Sequence, residues 1–171
     1  MPNLGFPFEI KSLNDEGTFV GLASTYNNVD QGGDVVLPGA FTTTLQQGGN
    51  TRPLLLEHRD PIGTVELTDS PEGLLAKGKL TMGIQKARDT FELMKSSVIR
   101  GLSIGFLNTQ EPKYVDGVRQ LSALRLYECS LCVFPMNEMA TVSSVKSVQH
   151  QQQILAALQS FRTDILSALQ R

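Results

Sequence analysis

Gly101-Leu102-Ser103-Ile104-Gly105-Phe106 alternates apolar and small residues over a short stretch. With a period of two it reads as a β-strand that puts Leu102, Ile104 and Phe106 on one face and Ser103 and Gly105 on the other. Glycines beside a serine leave room for a second backbone to come close, which a serine that attacks a carbonyl requires. Working outward, similar alternations between glycine- and proline-containing turns predict strands over 18–26, 54–58, 63–67, 74–81, 119–124 and 126–134. Two helices are expected among them. Phe41 to Gln47 forms a short one stopped by Gly48-Gly49. Gln85 to Arg100 forms a longer one, with Ala87, Phe91, Met94 and Val98 at helical steps and Gly101 as its terminator. The fold class is therefore α+β, mainly β.

The chain has 171 residues, of which 40% are hydrophobic, enough for one domain with a real core. A formal charge of -2 and a pI near 5.7, with acidic and basic residues mixed, argue against a nucleic-acid binder. No apolar stretch reaches the length of a membrane span, and Met1-Pro2-Asn3-Leu4-Gly5 lacks the pattern of a secretory signal, so work in the cytoplasm or in an assembly built there is expected. Nothing in the sequence calls for a metal or an organic cofactor. The two cysteines form one C-x-x-C, Cys129 to Cys132, but on a strand they face opposite ways and no second pair completes a zinc site, so they read as buried, reduced thiols. The polar turn from Asn27 to Asp34 lacks both the ligand spacing of an EF-hand and the lysine of a P-loop, and reads as a surface loop.

Composition changes after Lys146. Gln149 to Gln153 is polar, and Ile154, Leu155, Leu158, Phe161, Ile165, Leu166 and Leu169 then recur at helical spacing. The expected organisation is one domain over 1–146, followed by a polar linker and an amphipathic helix over 147–171 that packs on the domain or pairs with a partner.

A serine nucleophile needs a base, and the chain has only two histidines. His150 lies in the polar run and reads as a solvated linker residue. His58 ends Pro53-Leu54-Leu55-Leu56-Glu57-His58, where strand alternation puts it on the face of Leu54 and Leu56. A lone histidine on such a face is more often a hydrogen-bonded core residue than a catalyst, but Ser103 gives it a partner. A third group usually fixes the imidazole tautomer. Glu57 points to the opposite strand face. Glu128 is better placed, within the apolar run from Leu124 to Phe134, where alternation gives it the face of Leu126, Ser130 and Cys132. A carboxylate there needs a partner, either His58 or a salt bridge to Arg119 or Arg125. Asp30, Asp34 and Asp60 lie in turn-like sequence.

Taken in order, these pieces resemble the prohead, or head-maturation, serine proteases of tailed bacteriophages, distant relatives of the herpesvirus assemblins. The resemblance spans about residues 8 to 146. It is carried by Gly33-Asp34-Val35-Val36-Leu37-Pro38-Gly39-Ala40-Phe41, by Leu56-Glu57-His58 with Pro61-Ile62-Gly63, and by Gly101 to Phe106. Leu126-Tyr127-Glu128-Cys129-Ser130 and Pro135-Met136-Asn137 complete it.

The resemblance implies a serine endopeptidase with His58, Ser103 and Glu128 in that chain order, on a small closed β-barrel with surrounding helices. In the assemblins the third member is a histidine, whereas the corresponding strand here offers Glu128. The assemblin oxyanion loop follows that strand, which nominates the backbone N–H groups of Met136 and Asn137, helped by an arginine-held water. The implied partners are the major capsid protein, the scaffolding protein and the protease itself, cleaved inside the procapsid in the host cytoplasm. Assemblin relatives gain activity on dimerising, so homo-oligomerisation belongs to the same expectation. A non-catalytic capsid assembly or scaffolding module is the main alternative, with His58 and Glu128 as a buried polar pair and Ser103→Ala silent. An esterase-like acyl-transfer enzyme is another.

Overall fold

The β-rich pattern produces a curled sheet in the computed structural model, which describes residues 17–143. The strands before the midpoint are β1 (Thr18–Thr25), β2 (Asp34–Val36), β3 (Thr51–Leu56), β4 (Asp60–Ser70) and β5 (Gly73–Leu80), with helix α1 (Thr42–Gly48) before β3. Helix α2 (Gln85–Lys95) leads to β6 (Gly101–Asn108), and β7 (Lys113–Val115), β8 (Val118–Leu121), β9 (Leu124–Cys132) and β10 (Val142–Ser143) follow. The main sheet runs β10-β1-β5-β4-β3-β9-β6, antiparallel throughout except for the β3–β9 pair, and a small sheet runs β2-β8-β7. Mainly β architecture with two helices is thus what the described residues form.

Burial drives the curl. The inward faces contribute Phe19, Leu54, Ile62, Val65, Leu67, Leu74, Leu102 and Leu131, each essentially without solvent contact, while Phe41 beside α1 and Met94 of α2 join the same core. At about 25 cal/mol for each Å² of apolar surface removed from water, a fully buried leucine contributes roughly 1.5–3 kcal/mol, so a core of this kind dominates the stability. The sheet's two margins meet at one end, where Leu102 N–H donates to the Ala140 carbonyl at 2.8 Å, Val142 N–H to Arg100 at 2.8 Å and Leu22 N–H to Thr141 at 2.9 Å. Gly21 makes this approach feasible, since a β-carbon there would lie 2.5 Å from the Thr141 carbonyl oxygen. Beyond Leu102 the margin formed by β6 has no strand on its outer side among the described residues.

Several boundaries differ from expectation for local reasons. Helix α2 stops at Lys95 rather than Arg100: Ser97 takes a left-handed φ of 60°, and Ser96 N–H and Ser97 N–H close the last turn on Glu92 and Met94. Val98 is consequently exposed instead of completing the Ala87, Phe91 and Met94 stripe, and Gly101 opens β6 instead of ending a helix. Strand β3 ends at Leu56, so His58 lies in the turn beyond it and not on the strand face of Leu54. Ser122 and Ala123 divide β8 from β9, so Leu124 begins the second strand rather than ending the first. Strands β2, β7 and β10 are additional to those read from the sequence. The helix expected over 147–171 lies outside the described residues. Among those residues no helix is long and apolar enough to cross a membrane.

Candidate active site

Ser103 sits in the middle of β6, paired across the ladder with Ser130 of β9, while Gly101 pairs with Cys132 and Gly105 with Glu128. One irregularity decides what faces the serine. Between Gly105/Glu128 and Phe106/Leu126 the register shifts by a residue, so Tyr127 is an extra residue in β9. A bulge of this kind reverses the alternation. Leu124 and Leu126 point into the core before it, Cys129 and Leu131 after it. Glu128, Ser130 and Cys132 therefore share the face of Ser103 and not, as simple alternation has it, that of Leu126. The bulge is anchored from outside: Leu126 N–H donates to Thr44 Oγ1 at 3.1 Å, and the Leu126 carbonyl accepts from Arg52 Nε at 3.1 Å.

His58 reaches the same face from a strained turn. Glu57 and His58 both adopt left-handed backbone, with φ of 50° and 58°, which costs about 1–2 kcal/mol for each non-glycine residue. Four hydrogen bonds hold the turn. Glu57 N–H donates to the Leu131 carbonyl at 3.0 Å and Arg59 N–H to Leu56 at 3.1 Å. His58 N–H donates to Ser130 Oγ at 3.1 Å, and Val133 N–H donates to Glu57 Oε1 at 2.8 Å. Glu57 is thus engaged away from the imidazole, through this turn and not through strand alternation.

The imidazole joins two side chains. His58 Nδ1 lies 2.7 Å from Glu128 Oε1, and His58 Nε2 lies 3.1 Å from Ser103 Oγ. An ionised carboxylate can only accept, so the Nδ1 hydrogen is donated to Glu128, and in the neutral ring Nε2 keeps a lone pair for the serine hydroxyl. Glu128 Oε2 accepts a second bond, from Ser130 Oγ–H at 2.7 Å. Glu128 is largely covered, with 12% side-chain exposure, while His58 at 44% is open to the cleft.

The other sequence candidates lie elsewhere. Arg119 makes a two-pronged ion pair with the buried Asp34, with Nε 2.6 Å from Oδ1, and this partner raises the Arg119 pKa; it makes no salt bridge to Glu128. Arg125 is exposed and pairs with Leu107, on the other side of the bulge from Glu128. Asp60 pairs with Lys86 at 2.8 Å, and Asp30 accepts from the N–H groups of Gly32 and Asp34 within its own turn. Met136 and Asn137 lie after β9 and, with His58, Ser103, Ile104 and Phe134, line a cleft of about 440 Å³. Gln31 N–H donates to the Met136 carbonyl at 3.0 Å. The Asn137 amide accepts from Met139 N–H at 3.0 Å and donates to Thr25 Oγ1 at 2.9 Å.

The letters Gly101-x-Ser103-x-Gly105 match the nucleophile-elbow pattern of the α/β-hydrolases. The geometry does not, because Ser103 is paired within a strand and not raised on a strand-to-helix turn. Sequence reading overlooked Ser130; its spacing of two from Glu128 was the available signal.

A cleft serine hydrogen-bonded to imidazole, carried on a curled, mainly antiparallel sheet, has the character of a serine peptidase. The model of the caudovirus prohead serine protease family matches residues 6–154. The prohead protease of Enterobacteria phage HK97 is 34% identical over 150 residues, covering 82% of this chain and 66% of that protein. The capsid polyprotein of Pseudomonas phage PAJU2 is 33% identical over 164 residues, covering 89% of this chain and 24% of that protein. The chain thus spans just under two thirds of the first relative and about a quarter of the second. It belongs to the caudovirus prohead serine protease family.

Proposed function

We propose that this chain is the serine endopeptidase of procapsid maturation, with Ser103 as nucleophile, His58 as base and Glu128 as the carboxylate that orients it. The observation that carries this reading is the unbroken link from Ser103 Oγ through the imidazole to Glu128, 3.1 Å and then 2.7 Å, opening on a cleft. His58 Nε2 takes the Ser103 proton as Oγ attacks the peptide carbonyl, then returns it to the leaving amine. Water, deprotonated by the same nitrogen, releases the acyl group. Glu128 remains ionised and stabilises the imidazolium formed in between.

The tetrahedral oxyanion needs fixed donors, each worth about 3 kcal/mol. The backbone N–H groups of Met136 and Asn137 are proposed for this task, because their loop borders the cleft beside Ser103 and is tied down by Gln31 and Thr25. On this reading the curled sheet is the barrel of the assemblin-like proteases.

The substrates proposed are the major capsid protein precursor or the scaffolding protein, and the protease itself, cleaved inside the procapsid in the host cytoplasm. That a relative is a capsid polyprotein, about four times the length matched, favours a capsid precursor as partner. Residues 147–171 serve as linker and docking helix in the same scheme. Deleting 149–171 should lower incorporation into shells and leave peptide cleavage intact; lost cleavage would refute the docking role.

The test of the function is co-expression with the phage's capsid and scaffold genes, read by intact-protein mass spectrometry. Shortened capsid or scaffold protein is expected with the natural chain and full-length protein with Ser103→Ala. Processing that survives the substitution would overturn the proposal and favour a non-catalytic assembly role.

A further inference from the structure

Ser130 is wholly buried, yet its hydroxyl engages two parts of the site. Its O–H donates to Glu128 Oε2 at 2.7 Å, and its oxygen accepts the main-chain N–H of His58 at 3.1 Å. One atom thereby links the carboxylate to the turn that carries the imidazole. We infer that Ser130 is a positioning residue of the Ser103–His58–Glu128 relay, fixing the rotation of the acid and the height of the base over the nucleophile together. The inference rests on the function proposed above.

The geometry gives each bond a separate task. A carboxylate held only through Oε1 can pivot about its terminal torsion, which is broad for glutamate. The second bond, to Oε2, stops that pivot and keeps Oε1 facing Nδ1. The His58 N–H belongs to a left-handed turn, and losing its acceptor would leave a main-chain donor unpaired where the backbone is already strained. Ser130 also lies opposite Ser103 on the neighbouring strand, so its own position is set by the ladder that places the nucleophile. It does not line the cleft. Its loss should therefore change how fast a bound reagent reacts and not how well the reagent binds.

Phosphonylation by a fluorophosphonate tests this without knowledge of the cleavage sequence. Ser103 Oγ attacks phosphorus, fluoride leaves, and the Oγ proton passes to His58, so the saturating rate reports activation of the serine and the half-saturation concentration reports binding. Ser130→Ala is expected to lower the saturating rate roughly tenfold to a hundredfold, by analogy with the outer hydrogen bonds that orient metal-binding side chains, with half-saturation within about twofold. Threonine and valine have the same shape and differ in the hydroxyl, so Ser130→Thr should react at least about tenfold faster than Ser130→Val. An unchanged saturating rate in Ser130→Ala, or equal rates in the threonine and valine variants, would overturn the inference. Ser103→Ala separates this from failure of the functional reading: if it still labels in the cleft, that reading falls. If it does not label and Ser130→Ala reacts normally, only the role of Ser130 falls.

Discussion

Gly105 lies directly opposite Glu128 on neighbouring strands, and a β-carbon at position 105 would sit 2.2 Å from Glu128 Oε1, the oxygen that faces His58. The second glycine of the serine stretch therefore makes room for the acid, whereas its spacing from Ser103 alone suggests room for substrate. Gly105→Ala should displace the carboxylate and slow the saturating rate of fluorophosphonate labelling, toward the roughly 10⁴-fold loss expected of Glu128→Gln. The measurement is labelling kinetics of both variants and their combination. If they act through the same bond, the double variant loses little beyond Glu128→Gln; additive losses would contradict that link.

Arg52 holds the bulge that turns Glu128 toward the serine. Its buried guanidinium donates to the carbonyls of Thr44, Gly48, Gly49, Thr51 and Leu126. Arg52→Met would leave the buried Thr44 and Leu126 carbonyls without their donor and should cost about 2–4 kcal/mol of stability, measured by urea unfolding. Labelling at a temperature where the variant is still folded should also fall. Stability lost with full labelling would show that the bulge survives without its anchor.

The side chain of Asn137 binds the loop proposed to hold the oxyanion, through Thr25 and Met139. Asn137→Ala keeps the backbone N–H but frees the loop. A drop in labelling of about tenfold or more is expected, since oxyanion donors act by being preorganised. Unchanged labelling would place the oxyanion donors elsewhere.

Alkaline stability follows from three buried acids. Burial pushes the Cys132 thiol up to about 12 from its ordinary 9.0, and raises Cys129 in the same direction. Burial, followed by a hydrogen bond to Asp69, raises Tyr26 as well. Each group is neutral when protonated, so the folded state favours the proton. This stabilisation is complete below the unfolded-state value and is lost as pH climbs through the folded one. Stability should thus decline from about pH 9 toward 12, measured by chemical unfolding across that window. Both free thiols should resist alkylation near neutral pH until the protein unfolds.

The main strands and the two helices were legible because period-two and helical stripes report burial directly, as in Leu74 to Thr81 and in Ala87, Phe91 and Met94. The bulge at Tyr127 was not. Alternation assigns Glu128 to the face of Leu126, and only the paired strand reveals that one residue has been skipped. His58 was likewise placed on a strand, because the left-handed pair Glu57-His58 has no glycine or asparagine to announce it. The β7–β8 hairpin did carry a signal: Asp116-Gly117, both at positive φ, is a favoured hairpin turn. Strand β10 is two residues long, and its pairing with β1 spans most of the chain, beyond the reach of a local pattern.

The most direct measurement of the central claim is mapping the fluorophosphonate adduct on the full chain by peptide mass spectrometry. One phosphonyl group on Ser103 is expected, absent in Ser103→Ala and slowed by about 10³-fold or more in His58→Ala. An adduct on another residue, or labelling that ignores loss of His58, would contradict the account.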